Sequence, residues 1–168
     1  MKHLLLKAKG GHDRPPSPHW RHILISGACS CAAICLLSWF SEEGLHPLVL
    51  GSFGASCVLL FGYPDSPFSQ PRNIVVGHTL STLVGLAVLF TLGTHWWSMG
   101  LAVATAIMLM MKLGVMHPPA GSNPLIVLML QPSWLFALTP TLVGSLVLVV
   151  LGVLLINLQS EKHYPRYW

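Results

Sequence analysis

The sequence predicts an all-α protein that crosses a membrane several times, and three observations carry this prediction. Of its 168 residues, 53% are apolar and 8% are charged, with a mean hydropathy of +0.66. Several uncharged windows run for about 17 to 25 residues, the length of helix that crosses a hydrocarbon core of roughly 30 Å. Residues 117–124 lie between two apolar runs and hold three prolines. Because each proline removes a backbone donor, we expect this stretch to be buried in protein or to line a watery cavity.

The N-terminal segment, residues 1–21, is basic and contains prolines, and it accounts for most of the net charge of +4. A short basic segment beside a first apolar span is what the positive-inside rule expects of a cytoplasmic N-terminus. A nucleic-acid-binding arm would also be basic, but the adjoining span favours the membrane interpretation, and we expect no nucleic-acid partner. We therefore predict a cytoplasmic segment 1–21, a transmembrane domain 22–158 in the lipid bilayer of a bacterial inner membrane, and a polar and aromatic tail 159–168.

The transmembrane domain contains five or six hydrophobic segments. We expect spans over residues 23–40, 45–62, 74–92, 98–116 and 134–158. Between the last two, residues 120–131 would form a helix of roughly 18 Å, little more than half a membrane. This length predicts a half-membrane or re-entrant helix after the His-Pro-Pro motif. The sequence leaves open whether residues 117–133 cross or return, and on which side the C-terminus lies.

Small residues mark two helix faces. Gly77, Ser81 and Gly85 recur at four-residue intervals in the third span, which predicts a tight helix contact on that face. In the second segment, five of the six residues 51–56 are small. They favour close helix packing, with a break whose backbone groups bind something as the other interpretation.

The order of segments suggests a two-fold internal repeat. The pattern His-Pro followed by Gly-Ser occurs in residues 46–52 and, with one residue of slippage, in residues 117–122. Interrupted segments in corresponding positions of two repeats indicate a transporter's binding site. If all three elements of each half cross, the halves are inverted. If the His-Pro segments dip in and return, the halves are parallel.

Three runs of the chain resemble the HPP family of integral membrane proteins, named for its His-Pro-Pro motif. They are residues 51–56 with 60–64, residues 66–73 with 77–78, and residues 117–121. The family is described as small multi-spanning membrane proteins, proposed to be transporters, and its plant plastid and cyanobacterial members are linked to nitrite transport. The resemblance therefore implies a transmembrane helical fold and a nitrite-like substrate.

The candidate substrate-binding residues are those that could offer positive charge or free N–H groups to an anion. A helix start inside a protein-lined cavity exposes such groups and the positive end of the helix dipole. We select His117, Gly121, Ser122, Asn123, Gly51, Ser52, Arg72, Asn73 and His78. Some have structural interpretations too. His78 could hydrogen-bond a neighbouring carbonyl, and Arg72 with Asn73 could cap the third span.

These observations predict a channel or proton-coupled carrier for a small inorganic anion, in which a histidine changes charge near neutral pH. Because 168 residues are few to enclose a pathway, we expect a homo-oligomer. The alternative is a non-transporting membrane module that binds a partner protein or a metal ion through its nine histidines. We predict no metal site or cofactor, since no acid accompanies His78 or His117. We also predict no enzymatic activity, since the sequence offers neither an acid and base pair nor an activated nucleophile.

Overall fold

The structure, a computed structural model, describes residues 13–42, 48–159 and 162–168. Every regular element in these ranges is helical, which confirms the predicted all-α class. The six α-helices are α1 Trp20–Glu42, α2 Gly51–Gly62, α3 Pro71–Leu92, α4 Trp96–Lys112, α5 Asn123–Leu130 and α6 Val143–Asn157. Single 3-10 turns occupy Pro67–Ser69, Pro118–Ser122 and Trp134–Ala137.

Three helical segments of the described chain are long and apolar enough to cross a membrane, namely α1, α3 and Trp134–Asn157. The apolar helices α2 and α4 are shorter, with 12 and 17 residues. The segment Trp134–Asn157 is interrupted at Thr139, whose backbone is extended with φ −127° and ψ 122°. A residue before proline is disfavoured in the helical region, so the interruption follows from Pro140.

Helix α3 lies at the centre of the bundle, against α4, α5 and α6. Its small-residue face makes the predicted close contact. A Cβ added at Gly77 would lie 2.9 Å from Cβ of His117, and one at Gly85 would lie 2.9 Å from Cα of Pro124. Ser81 is fully buried beside the thioether of Met110 on α4. The small residues thus admit the His-Pro-Pro segment and α5 to the backbone of α3.

In the second hydrophobic segment, the described residues are helical only from Gly51 onward. Residues 48–50 have no regular structure, and α2 begins at Gly51. Its 12 residues are roughly 18 Å long, about half a membrane. The end of α2 lies beside the start of α1, because a ring nitrogen of His22 is 2.9 Å from the Gly62 carbonyl oxygen. The predicted match at His46-Pro47 lies outside the described residues.

The short helix expected after the His-Pro-Pro motif is present as α5, which has eight residues. From His117 to the end of α5, successive residues contact successive positions of α3. His117 approaches Gly77, Asn123 bonds to the side chain of Thr82, and Val127 lies against Gly85. This order favours a segment that continues along α3 over one that turns back. The internal repeat remains a prediction.

The C-terminal strap, residues 162–168, packs on the loop between α2 and α3. The buried Tyr164 hydroxyl donates to the Ser69 carbonyl at 2.7 Å, and the amide of Asn157 holds the Tyr164 backbone with bonds of 2.6 and 2.8 Å. Burial raises the pKa of the Tyr164 phenol, so it stays a neutral donor. Arg166 pairs with Asp65 at 2.6 Å. Residues 162–168 of the predicted tail therefore pack against the helical domain.

Candidate functional site

Two histidines meet inside the bundle. His78 lies on α3 and His117 immediately before the turn Pro118–Ser122, and both are 0% exposed. Their ring centroids are 4.9 Å apart. Between them lies the hydroxyl of Ser56 on α2, whose oxygen is 2.8 Å from Nε2 of each ring. We call Ser56, His78, His117 and Asn123 the histidine cluster.

The hydrogen-bond partners fix the tautomer of each ring. His117 Nδ1 lies 2.6 Å from the Phe68 carbonyl oxygen, which can only accept, so Nδ1 carries the hydrogen. The Ser56 hydroxyl therefore donates to Nε2 of His117, and its oxygen accepts from Nε2–H of His78. Nδ1 of His78 accepts from the Asn123 amide at 3.1 Å. One neutral assignment thus satisfies all four ring nitrogens.

Asn123, the first residue of α5, ties the cluster to α3. Besides His78 Nδ1, its amide nitrogen lies 3.1 Å from the His78 carbonyl oxygen and 3.0 Å from the Thr82 hydroxyl. These acceptors orient the amide, because the opposite orientation would bring its oxygen to the His78 carbonyl oxygen. The Thr82 hydroxyl in turn lies 3.2 Å from that of Thr141, which extends the polar contacts to the interrupted last span.

Two helices begin at this cluster. Asn123 opens α5, and Ser52 in the first turn of α2 presents its carbonyl oxygen 3.1 Å from the Ser56 hydroxyl. The Ser52 hydroxyl and Oδ1 of Asn123 are both buried and have no hydrogen-bond partner among the described residues. An unsatisfied buried polar group costs about 1 to 3 kcal/mol, and native proteins rarely keep one without a reason. The site therefore offers a ligand one hydroxyl, which can donate or accept, and one amide oxygen, which can only accept.

The remaining small and polar candidates lie outside the hydrogen-bonded cluster. Gly51 is exposed and Gly121 is half-buried, and a Cβ added to either would meet nothing within 4 Å. The Ser122 hydroxyl donates to the Pro119 carbonyl at 2.8 Å, within its own turn. Of the candidates, His117, Asn123 and His78 meet directly, and Ser52 joins them through Ser56.

Arg72 and Asn73 lie at the start of α3 and hold the chain that leads from α4 to His117. The guanidinium of the exposed Arg72 donates to the Leu113 carbonyl at 3.1 Å. The buried Asn73 amide donates to the Met116 carbonyl at 2.9 Å. They fix the backbone before the His-Pro-Pro motif, and Arg72 places a positive charge at that end of the bundle.

Sequence reasoning missed Ser56, the residue that joins the two rings. It had a local signal, since Ser52 and Ser56 are one turn apart and share a helix face. The run of residues 51–56 nevertheless predicted packing. Only tertiary structure shows that His78 and His117, 39 positions apart, both reach this hydroxyl.

The cluster does not form a metal-binding group of three. In the described ranges, no three His, Cys, Asp or Glu side chains come together in a way that could hold a metal ion. The two rings direct Nε2 at a hydroxyl and leave neither nitrogen free in the neutral assignment. The lack of a cofactor remains a prediction.

The helical fold and the buried polar cluster define an integral membrane protein with ionisable side chains inside its bundle. The chain belongs to the HPP family, since the family model described as "HPP, transmembrane region" matches residues 15–165. Two transmembrane proteins of Dictyostelium discoideum are 34% and 33% identical to it, over 171 and 174 residues. These matches cover 95% and 96% of this chain but 60% and 56% of the relatives, so the chain spans less than two thirds of their length. No solved structure matches it.

Proposed function

We propose that the protein transports a small inorganic anion of the nitrite type across a bacterial inner membrane, with its N-terminus in the cytoplasm, and that it is not an enzyme. One observation carries the proposal. Two short helices, α2 and α5, begin beside a buried pair of histidines in the interior of a membrane protein. The nitrite-like substrate follows from the resemblance of the sequence motifs to this family.

The physical support for this proposal is that the hydrocarbon core of a membrane disfavours polar and ionisable side chains. Ionisable side chains inside a membrane domain are costly and commonly mark an ion or substrate pathway. Helices that start within the membrane direct free N–H groups and the positive dipole end at an anionic group. Ser52 lies in the first turn of α2, and its buried hydroxyl, which has no hydrogen-bond partner among the described residues, could donate to an anion. Asn123 lies in the first turn of α5, but its unpartnered amide oxygen can only accept, so it does not favour an anion. An anion that approached the start of α2 would meet the Ser52 hydroxyl as a donor where lipid offers none.

Positively charged side chains at two helix ends support the proposal that anions can reach the cluster. Arg72 at the start of α3 and Lys112 in the last turn of α4 are both exposed. Hydrogen bonds from Arg72 and Asn73 to residues 113 and 116 place these charges beside the segment that leads to His117. Positive charge at this end would raise the local concentration of anions.

The test is anion uptake by proteoliposomes that contain the purified full chain. Nitrite, nitrate and chloride are offered separately at the same concentration, and protein-free vesicles measure leakage. We expect uptake of at least nitrite above leakage, and its loss in His117→Ala. Ser145→Ala is the matched control, because Ser145 is also fully buried, and among the described residues its hydroxyl bonds only to the carbonyl of Leu142, the residue before α6. No flux of any of these anions above that of His117→Ala would refute the proposal.

A second candidate function has one observation in its favour. His78 and His117 are completely enclosed and fully hydrogen-bonded, as expected of a structural polar core. The alternative is a membrane module that binds a partner protein or a metal ion and transports nothing. Metal analysis of the purified protein, together with thermal stability of His117→Ala, separates the two. A bound metal, or lost stability in a protein without flux, would favour the alternative.

We also propose that the chain works as a homo-oligomer, since the six α-helices of its described residues are few to enclose a pathway. Light scattering of the detergent-solubilised protein, corrected for bound detergent, measures the oligomeric state. A monomer that still supports uptake would contradict this part of the proposal.

A further inference from the structure

The outer surface of α3 and α6 carries a groove with a positively charged mouth, and we propose that this groove binds one anionic phospholipid of the surrounding bilayer. Two adjoining hollows share Val75 and Val76 and so form one groove between the two helices. It begins at Arg72 and Trp168 and reaches Leu83. We call it the α3–α6 groove. The inference is independent of anion transport, because it concerns the outer surface and not the interior cluster.

The walls of the α3–α6 groove are apolar and face outward. Val76, Leu83 and Leu146 are 40%, 41% and 46% exposed, which in a membrane protein places them against hydrocarbon. Thr79 also lines the groove, and its hydroxyl donates to the Val75 carbonyl of its own helix at 2.8 Å. The walls therefore suit an acyl chain.

The α3–α6 groove has the depth of one leaflet. Arg72, Val76, Thr79 and Leu83 follow one another at helical spacing, which places them in a row on one face of α3. At the helical rise, Arg72 and Leu83 are roughly 16 Å apart. The hydrocarbon core is roughly 30 Å thick, so one leaflet supplies about half of that length. A lipid with its headgroup at Arg72 would thus extend an acyl chain to Leu83 near the middle of the bilayer.

Arg72 and Trp168 at the mouth suit a phosphate-bearing headgroup. The exposed Arg72 uses one guanidinium nitrogen for the Leu113 carbonyl, and its other N–H groups have no acceptor among the described residues. A guanidinium binds phosphate oxygens in a bidentate way. Tryptophan is enriched at the level of the headgroups, and the exposed Trp168 lines the same mouth. The charged group and the aromatic ring therefore mark the depth of a headgroup.

The charge at the mouth favours an anionic lipid over a second copy of this chain. In the part of the chain that the structure describes, the only ion pair joins Arg166 to Asp65, so no acidic side chain pairs with Arg72. Basic pockets between transmembrane helices bind anionic headgroups. A two-fold dimer through this groove, with its axis along the membrane normal, would instead place two Arg72 side chains at one depth, where like charges repel.

The test is native mass spectrometry of the full chain released from nanodiscs with equal amounts of phosphatidylglycerol and phosphatidylcholine that carry the same acyl chains. Wild type should retain phosphatidylglycerol in preference. One basic side chain near the membrane surface is worth a factor of about five in affinity for anionic lipid, so Arg72→Gln should lower the retained ratio about fivefold. Arg72→Lys, which keeps the charge, should retain most of the preference. Arg21→Gln is the control, since Arg21 is also exposed, at the start of α1, and does not line the groove.

A second pair of variants tests the shape of the groove without changing a charge. Val76→Trp should fill the groove and remove most of the retained phosphatidylglycerol. Leu101→Trp on α4, a position that is 45% exposed and outside the groove, should match wild type. Retention that neither Arg72→Gln nor Val76→Trp lowers, or that Arg21→Gln lowers equally, would overturn the site. A lipid-free dimer that Val76→Trp dissociates would assign the groove to a second copy and would also overturn it.

Discussion

Gly77 determines how closely His117 can approach α3. A Cβ at this position would lie 2.9 Å from Cβ of His117 and 3.2 Å from the Val115 carbonyl oxygen. Neither atom is the end of a flexible side chain, so the segment would have to move as a unit. The approach of the His-Pro-Pro segment to α3, and with it the hydrogen bond from Ser56 to His117, therefore depends on a residue without a side chain.

We predict that Gly77→Ala destabilises the protein. Overpacking costs typically about 1 to 3 kcal/mol, which exceeds the gain of roughly 0.5 to 1 kcal/mol from replacing glycine by alanine in a helix. The melting temperature in detergent should fall. Gly100→Ala on α4 is the control, since its added Cβ would meet nothing within 4 Å, and it should leave stability unchanged or slightly higher. Equal melting temperatures for the two variants would show that the segment yields at little cost.

At the scale of elements, the C-terminal strap and the α2–α3 loop behave as one unit. Tyr164 is 3% exposed and donates to Ser69, while the backbone N–H of Arg166 donates to Oε1 of the buried Gln70 at 2.8 Å. The same loop supplies the Phe68 carbonyl that accepts from His117. The strap therefore supports, through the loop, the outer end of the histidine cluster.

Tyr164→Phe should lower the free energy of unfolding by about 1 kcal/mol, the usual net worth of a hydrogen bond, because it leaves the Ser69 carbonyl without this donor. Tyr167→Phe is the comparison. Tyr167 is 43% exposed, and its hydroxyl contacts are longer, 3.2 and 3.4 Å, so the change should be close to neutral. Denaturant unfolding in detergent measures both. A larger loss for Tyr167→Phe would mean that the strap is held mainly at its end.

Several elements followed from local rules, and the exceptions have physical causes. Charge-free windows located α1 and α3, and the distance to Gln131 predicted the short helix α5. The fourth helix ends at Lys112, short of the predicted residue 116, because Gly114 adopts a φ of +64°. A glycine in this left-handed region commonly ends a helix. The strap escaped prediction because its contacts join residues about 95 positions apart, and no local pattern signals them.

Only part of the candidate site could be predicted, because the rest depends on contacts between residues that are far apart in the sequence. Residue type and motif selected His117, Asn123 and His78, and these three meet. Residue type alone could not separate them from Gly121 and Ser122, which lie in the turn Pro118–Ser122 but make no hydrogen bond to the two histidines. Which residues of the His-Pro-Pro segment reach the histidine cluster depends on how that segment packs against α3, and this is a property of the tertiary structure.

At the scale of the whole molecule, helix ends gather at one side of the bundle. His22 at the start of α1 contacts Gly62 at the end of α2, and Arg72 at the start of α3 contacts Leu113 just after α4. The end of α6 meets the strap on the same loop. If α2 and α5 each complete a crossing together with the residues that precede them, the chain crosses six times. Both termini then lie on one side.

Single cysteines test this topology in a background with the four native cysteines replaced by alanine. Ser17→Cys and Trp168→Cys should react with a membrane-impermeant maleimide from the same side, and Thr94→Cys between α3 and α4 from the opposite side. Membrane vesicles of known orientation make the comparison. Labelling of Ser17→Cys and Trp168→Cys from opposite sides would require an odd number of crossings and would restore the re-entrant interpretation.

The central claim is that the histidine cluster lies on a pathway for a small anion. Equilibrium exchange of ¹⁵N-labelled nitrite between proteoliposome lumen and bath tests it most directly, because exchange needs neither a gradient nor a driving ion. Exchange should exceed that of protein-free vesicles for wild type and Ser145→Ala, and should fall to the vesicle background for His117→Ala. Wild-type exchange at background, or equal exchange for wild type and His117→Ala, would contradict the claim.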